Sequence, residues 1–380
     1  MQIALVYDAV YPFVAGGVER RNYAVAEVLR REHGVALYGF RYWDEEGEAC
    51  LPGCRYVAVG APVPLYHANG RRRILEAITF GGRLFGALLR SREEVWDVAN
   101  MPFFSVPAAW LASRIRRRTL IVTWYEYWGD YWYRYLGWRG IFGRWIERLA
   151  QACSPHIIAI SQVTRRRLIA AGYPSERITL VPCGVDLQTI ATAPPADQTH
   201  DLICVGRLLP HKRIYLAIEA LAVLRRTHPA ATLAIVGDGP ERGRLEARVA
   251  ELGLESAVHF YGKLPAAEQV YGLMKSARVL VAPSEREGFG ISVVEAWGCG
   301  LLAVVCTGDE NAMTELVDEP NKGRVVPAEA GKIATACGEL LCESRETYQK
   351  QLAEAAAGYD WRRIAARLEE AYQTLTKEQA

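Results

Sequence analysis

The stretch RVLVAPSEREGFGISVVEAWGCG, residues 278–300, combines an apolar run, a glycine-containing loop and a helical pattern. The run RVLVAP does not alternate with polar residues, as expected of a parallel strand that is buried on both faces. The loop SEREGFG follows it, and ISVVEAWG then predicts a helix. This order of strand, loop and helix is the repeating unit of an α/β fold. The stretch also carries two glutamates eight residues apart, Glu287 and Glu295.

The same order of apolar strand and helical stretch repeats along the whole chain, which is typical of doubly wound parallel sheets. In the first half we predict strands over residues 3–8, 35–40, 95–100, 119–124, 156–161 and 177–182. In the second half we predict strands over residues 201–206, 231–237, 257–262, 278–283, 301–306 and 323–327. The expected fold class is therefore α/β, with two Rossmann-like doubly wound domains.

A polar segment with two adjacent prolines, ATAPPADQTH at 191–200, separates the two series of strands, and we interpret it as a linker. It divides the chain into an N-terminal domain over residues 1–190 and a C-terminal domain over residues 201–358. Residues 359–380 have apolar residues at helical spacing, and we expect this helix to pack back on the N-terminal domain. Ligands of open α/β sheets bind beyond the carboxyl ends of the strands, so two domains facing each other predict a cleft between them.

The composition indicates a globular protein of a reducing, cytoplasmic compartment. About half of the 380 residues (51%) are hydrophobic, but no apolar run approaches the roughly 20 residues of a membrane span. The nine cysteines are scattered without a CxxC pair, which disfavours a disulfide framework and a zinc site. The closest pair, Cys50 and Cys54, lacks other metal ligands nearby. The start MQIALVYDAV has no basic segment, so we interpret it as a first strand and not as a signal peptide.

The net charge of +2 is unevenly distributed. Residues 1–190 contain 24 arginines, no lysine and 17 acidic residues, which gives +7, so the remainder carries −5. This basic half indicates an anionic partner. Residues 71–92 place apolar residues on one helical face between arginines, and RIRRR follows at 114–118, which together suggest peripheral contact with an anionic membrane. The alternative is a helix that covers its own sheet. Nucleic acid is not expected as a partner, since no recognised module accompanies the charge.

The loop before Glu295 suits a phosphate group. Its glycines, Gly288 and Gly290, allow the backbone to approach a ligand closely, and the amino end of the following helix favours negative charge. The carboxylates of Glu287 and Glu295 would repel phosphate, so we expect them to accept hydrogen bonds from hydroxyl groups. A sugar nucleotide has this order of hydroxyls, phosphates and hydroxyls. The alternative is that either glutamate only caps the helix or lies on its solvated face.

Two further loops follow predicted strands and suit an anion. GRLLPHKR at 206–213 contains Arg207 and Lys212, whose fixed charges can hold a diphosphate and stabilise it as it leaves. The alternative is ordinary surface charge. AGGVER at 15–20 again brings glycine backbone toward an anion, this time from the first half of the chain.

These loops occur in the order found in a known family. Glu287 and Glu295 match the E-x7-E signature, GRLLPHK resembles G-R-L-x-x-x-K-G and AGGVER resembles G-G-V-E-R. VPCGVD at 181–186 resembles P-N-G-V-D, with Cys183 in place of Asn, and VGDGPERGRLE at 236–246 resembles the G-x-G-P loop. The chain therefore resembles glycosyltransferase family 4, whose members are retaining enzymes of the GT-B fold.

The resemblance implies a role for each matched residue. Glu295 would bind the ribose hydroxyls of the nucleotide, and Glu287 would contact the hydroxyls of the transferred sugar. Gly288, Phe289 and Gly290 would present backbone N–H groups to the sugar or the phosphates. Further positions would complete the donor site: Arg207 and Lys212 at the diphosphate, Gly16 and Gly17 from the first domain, and Gly262, Lys263 and Leu264 around the base.

The expected donor is a UDP- or GDP-sugar, used without a metal or other cofactor. No DxD motif is present in the sequence, in agreement with a diphosphate held by side-chain cations. Retention of configuration is expected through same-face attack, in which a donor phosphate oxygen accepts the proton of the acceptor. The expected acceptor is a hydroxyl group, and the sequence leaves open whether it belongs to a soluble sugar, a natural product, or a lipid-linked or polysaccharide intermediate.

The aromatic segment WYEYWGDYWYRYLGW, residues 124–138, suggests contact with that acceptor or with a sugar. Tyr125, Glu126 and Trp128 are the candidates, since aromatic rings stack on sugar rings. The alternative is packing against neighbouring helices. Family members often have His where this chain has Tyr125, which leaves the identity of the sugar open.

Two other functions are compatible with a similar fold. GDGPERG at 237–243 imitates a dinucleotide-binding loop, but its last glycine is misplaced and the next strand lacks the acidic residue that an NAD-dependent oxidoreductase needs. A non-catalytic protein that only binds nucleotide sugars is the other possibility. The presence of Glu287, Glu295 and Lys212 together argues against it.

Overall fold

The computed structural model of the chain describes residues 1–14, 16–43, 51–64 and 73–379. It consists of two compact units. The first comprises Met1–Cys183 together with Trp361–Ala380, and the second comprises Gly184–Asp360. The division therefore falls between Cys183 and Gly184, several residues before the predicted linker.

The bounds of the strands and helices follow. The strands are β1 Gln2–Val6, β2 Gly34–Phe40, β3 Cys54–Gly60, β4 Val95–Ala99, β5 Thr119–Trp124, β6 Ile157–Ala159, β7 Ile178–Leu180, β8 His200–Val205, β9 Leu233–Val236, β10 Val258–Gly262, β11 Ala277–Ala282, β12 Arg286–Glu287, β13 Leu302–Cys306, β14 Glu310–Asn311 and β15 Gly323–Val326. The helices are α1 Gly17–Leu29, α2 Ile74–Leu89, α3 Ser105–Arg116, α4 Tyr131–Leu136, α5 Gly140–Ala152, α6 Gln162–Ala170, α7 Leu187–Thr192, α8 Ile214–Leu224, α9 Arg242–Glu251, α10 Ala267–Lys275, α11 Ile291–Gly298, α12 Met313–Leu316, α13 Ala330–Cys342, α14 Arg345–Ala357 and α15 Trp361–Gln379. Short 3-10 turns cover Gly137–Arg139, Ser175–Arg177, Pro210–Lys212 and Pro320–Lys322.

The first unit is built on a seven-stranded sheet in the order β3-β2-β1-β4-β5-β6-β7, and every pairing in it is parallel. Helices α2, α3 and α5 contribute to one apolar core, and α1 and α15 contribute to a second, separate core. The sheet thus has helices on both faces, which explains why its central strands are apolar throughout.

The last helix, α15, belongs to the first unit. Its apolar stripe of Ile364, Leu368 and Tyr372 is fully buried in the core that α1 also covers. Burial of these three side chains supplies the hydrophobic free energy that returns the end of the chain to this unit.

The second unit contains a six-stranded parallel sheet in the order β10-β9-β8-β11-β13-β15, and a separate pair of two-residue strands, β12 and β14. Helix α8 packs against α13, and α11 packs against α14. The sheet order reverses direction between β8 and β11, and in α/β folds such a switch point places ligands beyond the carboxyl ends of those strands.

All twelve strands predicted from the sequence are present, and their bounds differ from the prediction by at most a few residues. The prediction missed β3, an edge strand that is half exposed and lacks a continuous apolar run. It also missed β12 and β14, which are too short to give a pattern. The α/β class with two parallel-sheet domains is confirmed.

The segment predicted as a linker is held against the second unit. The Ala196 N–H donates to the Gly272 carbonyl at 3.0 Å, and Ser276 Oγ donates to the Ala196 carbonyl at 2.7 Å. Lys275 Nζ donates to the Ala193 carbonyl at 2.7 Å. The prolines and polar residues therefore mark an ordered connection that packs on the second unit, whose first helix, α7, precedes it.

Candidate active site

Three glycines lie side by side at the carboxyl ends of neighbouring strands in the second unit. Gly206 follows β8, Gly237 follows β9 and Gly262 ends β10. The Gly206 N–H donates to the Val236 carbonyl at 3.0 Å, and the Gly237 N–H donates to the Gly262 carbonyl at 2.8 Å. A Cβ on Gly237 would lie 2.0 Å from the Gly206 carbonyl oxygen, so this close approach requires glycine. The loop that imitated a dinucleotide motif thus uses its first glycine for packing between strand ends.

Lys212 and Glu287 form an ion pair that joins two of these strand-end loops. Lys212 ends the turn after β8, and Glu287 ends β12. The ammonium group contacts Glu287 Oε1, which also accepts a hydrogen bond from Ser284 Oγ at 3.2 Å. The two side chains are only 21% and 14% exposed, so water screens their attraction less than at an open surface. The structure therefore brings together two of the predicted site residues, one basic and one acidic.

Asn311 fixes the loop that carries Glu287, and sequence analysis missed it. Its side chain is fully buried, and its Nδ2 donates to the carbonyls of Ser284 and Cys306, both at 2.9 Å. The Met313 N–H donates to Asn311 Oδ1 at 3.1 Å. Both N–H groups of the Asn311 amide and its oxygen are thus hydrogen-bonded to backbone groups. The sequence around it, GDENAM, gave no periodic or motif signal for this role.

Gly290 allows the turn between that loop and α11. It occupies the position before the helix with a φ of 101°, which disfavours residues that have a Cβ. A Cβ there would lie 2.4 Å from Met313 Cγ. The neighbouring Phe289 is 5% exposed and packs on the Tyr359 ring at 5.6 Å, so it anchors the loop in the core of the unit. Gly288 lies between these residues and Glu287.

Glu295 lies on α11, in its second turn, and is half buried. The hydroxyl of Tyr271, from α10, donates to Glu295 Oε1 at 3.0 Å. The Tyr271 hydroxyl therefore orients the Glu295 carboxylate, and the predicted contact of Glu295 with ribose hydroxyls stays a prediction.

Positive charge surrounds His211 in the same region. Burial, together with the nearby charges of Lys212, Arg286 and Arg207, lowers the pKa of His211 to about 4 against the opposing effect of Glu287. His211 is therefore neutral at physiological pH and adds no charge of its own. Its main-chain carbonyl accepts a hydrogen bond from the Glu285 N–H at 2.8 Å, which ties the turn after β8 to the loop of Glu287.

The remaining predicted donor residues are placed as follows. Arg207 is exposed just after β8, Lys263 is exposed after β10 and Leu264 is half buried beside it. Gly262 has a φ of 66°, so the chain turns sharply at the end of β10. In the first unit, Gly16 and Gly17 lie at the start of α1. A Cβ on Gly16 would lie 2.5 Å from Glu19 Oε2, and one on Gly17 would meet nothing within 4 Å.

The aromatic loop after β5 is held by two side chains that sequence analysis missed. Asn100, at the end of β4, accepts the Tyr125 N–H at 3.2 Å and donates to the Glu126 carbonyl at 3.3 Å. Glu147, on α5, accepts the N–H groups of Trp128 and Gly129 at 2.7 and 2.8 Å. The Trp128 indole N–H donates to Glu126 Oε2 at 3.0 Å. Its helical spacing from Gly143 and Ala150, which α5 also buries, could have indicated that Glu147 is buried, but not that it holds this loop.

Glu147 is itself fully buried and unusual in its ionisation. Burial raises its pKa to about 7, although the two main-chain N–H groups and the Trp132 indole N–H at 3.2 Å favour the charged form. The conformation of the aromatic segment therefore depends on the Glu147 carboxyl group, which accepts all three of these hydrogen bonds.

A buried polar network lies beneath Tyr125. Arg21 Nη2 and Asp97 Oδ2 are 3.6 Å apart, and both side chains are almost completely buried. Tyr372 donates to Asp97 Oδ2 and Thr123 donates to Asp97 Oδ1, each at 2.5 Å. The Arg21 guanidinium lies 5.8 Å from the centre of the half-buried Tyr125 ring. Burial opposes the charge on Arg21, but the interactions with Tyr125 and Asp97 raise its pKa above the ordinary value.

Within the described residues there is no group of three or more histidine, cysteine or acidic side chains suited to a metal ion. Cys54 and the other described cysteines are free thiols, and Cys50 lies outside the described residues. No helix in the described parts of the chain has both the length and the apolar character needed to cross a membrane.

Two family models match the chain, one on each side of residue 189. Residues 15–189 match the model described as Glycosyltransferase Family 4, and residues 189–358 match the model described as Glycosyl transferases group 1. The matches cover the regions that contain the predicted motifs of both halves. The chain belongs to the family 4-like glycosyltransferases, as the motifs predicted.

Curated relatives match about half of the chain. A GDP-mannose-dependent alpha-(1-6)-phosphatidylinositol monomannoside mannosyltransferase of Mycolicibacterium smegmatis is 32% identical over 232 residues, which are 56% of this chain and 60% of the relative. A glycogen synthase of Mycobacterium tuberculosis is 29% identical over 201 residues, which are 51% and 48% of the two chains. The matched part thus spans about half to three fifths of these relatives' own length.

Solved structures show that the fold is GT-B. HepE of Anabaena, solved in complex with UDP and glucose, superposes with a TM-score of 0.77 at 20% identity, over 98% of this chain and 100% of that one. Sucrose-phosphate synthase of Thermosynechococcus elongatus superposes with a TM-score of 0.78 at 19% identity, over the full length of both chains. The GT-B prediction is therefore confirmed.

Proposed function

We propose that the protein is a retaining, metal-independent glycosyltransferase that moves a sugar from a nucleotide diphosphate sugar to a hydroxyl group of an acceptor. The observation that carries this proposal is the ion pair between Lys212 and Glu287 at the carboxyl ends of the second unit's strands. These residues belong to two separate family motifs, and they meet at the sheet edge where α/β folds bind ligands.

Lys212 and Glu287 are placed to bind the two groups on either side of the bond that breaks, the bond between the sugar and its phosphate. Glu287 binds hydroxyl groups of the transferred sugar, and Lys212 binds the phosphate that leaves it. Because the two side chains are in contact, the sugar and its leaving phosphate are held next to each other, with the glycosidic C–O bond between them. Donor binding separates the pair and gives each group its own partner.

The leaving diphosphate acquires negative charge as the bond breaks. Arg207 and Lys212, with the amides around Gly288–Gly290 and the amino end of α11, supply fixed positive charge for it. We propose that these groups replace the divalent metal that other transferases use. Glu295 binds the ribose hydroxyls, and Gly262, Lys263 and Leu264 lie against the base.

The first unit then supplies the acceptor site. Gly16 and Gly17 are proposed donor-binding residues, and Tyr125, Glu126 and Trp128 are proposed to contact the sugar or the acceptor. The GDP-mannose used by the mycobacterial relative and the UDP and glucose bound to HepE support a GDP- or UDP-hexose as donor. The acceptor we propose is a lipid-linked or polysaccharide intermediate, as the phosphatidylinositol mannoside relatives suggest.

Thermal unfolding in the presence of a panel of nucleotide sugars tests the donor site. We expect one UDP- or GDP-sugar to raise the unfolding temperature of the wild type. Glu295→Ala should abolish most of that shift, whereas Glu370→Ala, an exposed glutamate on α15, should leave it unchanged. An unchanged shift in Glu295→Ala would remove Glu295 from the site.

Turnover separates the enzyme from a protein that only binds nucleotide sugars. The wild type should release UDP or GDP from the stabilising donor, slowly onto water and faster with an acceptor. Combined Arg207→Ala and Lys212→Ala should lower this rate about a hundredfold or more if the cations hold the leaving group. Donor binding without any release by the wild type would favour the non-catalytic alternative.

A further inference from the structure

Large apolar side chains are exposed where α5 begins. Trp138, Ile141, Phe142 and Trp145 are 74%, 55%, 66% and 62% exposed, and we call these four residues the α5 patch. Residues 141, 142 and 145 share one side of the helix, as spacings of one and four residues require. A cluster of this kind on a water-soluble surface indicates a binding partner.

The patch is not the result of a loosely placed helix. A Cβ on Gly143 would lie 2.2 Å from the Trp132 ring, and a Cβ on Gly140 would lie 2.5 Å from the Trp132 backbone. On the opposite side of α5, Ile146 and Ala150 belong to the core. The helix is thus fixed by close packing on α4 and the sheet, and its outer side is presented to solvent.

Two neighbouring helices of the same layer also expose apolar residues. Helix α2 packs along α3, and α3 contacts α5. In α2 the first turn is exposed, with Ile74 at 64%, Leu75 at 71% and Ile78 at 47%. The second half of α2 instead covers the sheet, since Leu88 is fully buried. The second half of the helix therefore covers its own sheet, whereas membrane contact of its exposed first half stays a prediction. Residues 71 and 72 lie outside the described residues.

One of the glycines inside α2, Gly81, has a packing role. A Cβ on Gly81 would lie 2.7 Å from the Phe104 carbonyl oxygen, so Gly81 allows α2 to approach the start of α3 closely. Gly81 and Gly82 therefore do not interrupt the helix, which runs without a break from Ile74 to Leu89.

The charge of this layer has one sign. The acidic residues of the ranges 73–92, 105–118 and 131–152 are Glu76 and Glu147, and both are fully buried. The exposed charged residues there are arginines, at 83, 90, 92, 114, 116, 117, 134, 139 and 148. Just before α4, Asp130 is paired with Arg144. The layer therefore combines exposed aromatic and aliphatic side chains with an excess of basic residues.

We propose that the outer surface of α2, α3 and α5 binds the surface of an anionic lipid bilayer. Tryptophan and arginine are favoured at the interface between headgroups and acyl chains, and each arginine is attracted by anionic headgroups. The exposed apolar side chains insert only a short distance, because they come from helices that lie along the surface. A second copy of the chain fits less well, since a symmetric contact would place the arginines of one copy against those of the other.

Membrane contact at this place has a consequence for the acceptor, which rests on the function proposed above. Helix α5 begins at the carboxyl end of the sheet, because it follows β5 in a parallel α/β unit. Tyr125, Glu126 and Trp128 lie in the same connection, between β5 and α4. Binding through the α5 patch therefore brings the aromatic loop close to the bilayer, where a lipid-linked acceptor is presented.

Vesicle sedimentation with the full-length chain tests the surface without any substrate. The wild type should sediment with vesicles of phosphatidylcholine and phosphatidylglycerol in equal parts, weakly with pure phosphatidylcholine, and less at high salt. Combined Phe142→Ser and Trp145→Ser should lower binding to the anionic vesicles about tenfold or more. Combined Arg139→Ala and Arg148→Ala should lower it severalfold.

A matched control lies on the second unit. Combined Val325→Ser and Arg226→Ala removes one exposed apolar and one exposed basic side chain there, and binding should be unchanged. The proposal fails if the wild type stays in solution with anionic vesicles, if the control loses binding as the patch variant does, or if the patch instead mediates a dimer that sedimentation equilibrium detects. A protein that binds vesicles but releases no nucleotide would refute the proposed activity and leave this surface in place.

Discussion

Single residues determine the geometry of the proposed donor site. Gly290 has a backbone conformation that suits glycine, and Asn311 satisfies three backbone groups around the loop of Glu287. The glycine was evident from the sequence, because glycine before a helix indicates a turn. The asparagine was not, because its partners come from backbone carbonyls whose positions only the fold defines.

Gly290→Ala should destabilise the second unit by roughly 1–3 kcal/mol and weaken donor binding, because it adds backbone strain and a clash with Met313. The measurement is urea unfolding. Gly300→Ala is the matched control: Gly300 also has a positive φ, of 77°, but a Cβ there meets nothing within 4 Å. Gly300→Ala should lower the free energy of unfolding by only about 1 kcal/mol, because it adds backbone strain without a clash. Equal costs for the two variants would show that the contact with Met313 is unimportant.

His211 should make stability depend on pH. Its pKa is lowered from 6.5 to about 4 in the folded protein, so the unfolded chain binds a proton more readily between these values. The contribution of His211 to the free energy of unfolding is therefore fully present above about pH 6.5, and it is lost as the pH falls toward 4. Urea unfolding at pH 7 and pH 5 should show a smaller loss of stability for His211→Gln than for the wild type. An identical loss in both proteins would contradict the burial of a neutral His211.

At the scale of elements, the apolar strands were predictable because a parallel strand buried on both faces has no polar alternation. The edge strand β3 and the two-residue strands were not, because half-exposed or very short strands lack that signature. The aromatic segment was recognised from its composition, but its conformation depends on Asn100 and Glu147, which come from other elements. A contact between elements distant in sequence leaves no local pattern, so the support of this loop became visible only in the fold.

Glu147→Ala should loosen the aromatic loop. It leaves the N–H groups of Trp128 and Gly129 and the indole of Trp132 without their acceptor, at a cost of roughly 2–4 kcal/mol. Unfolding by urea measures this cost, and tryptophan fluorescence should shift as the indoles become exposed. Glu370→Ala, exposed on α15, should stay within about 0.5 kcal/mol of the wild type. A similarly small effect of Glu147→Ala would mean that the loop does not depend on the carboxylate.

At the scale of the whole molecule, the chain forms two units, and the first unit includes both the beginning and the end of the sequence. Helix α15 follows the second unit in sequence but completes the core of the first. Its apolar spacing was readable from the sequence, whereas the hydrogen bond from Tyr372 to Asp97 was not. That bond ties the last helix to the network beneath Tyr125, and thus to the edge that we propose as the acceptor site.

Tyr372→Phe should destabilise the first unit by about 1–3 kcal/mol, because Asp97 loses a hydrogen bond in a buried position. Chemical unfolding measures the change. Tyr133→Phe removes a hydroxyl from a side chain that is 40% exposed, and its stability should match the wild type. If both variants are as stable as the wild type, the buried network does not hold α15 in place.

We propose that one corner of the second unit binds the phosphates of an activated sugar, between Lys212 and the amides of Gly288–Gly290. A crystal structure of the protein with an intact UDP- or GDP-sugar tests it most directly. We expect the diphosphate within hydrogen-bonding distance of Lys212 Nζ and of this loop, with sugar hydroxyls on Glu287 and ribose hydroxyls on Glu295. A nucleotide sugar bound elsewhere, with Lys212 and Glu287 still in contact, would show that this corner is not the donor site.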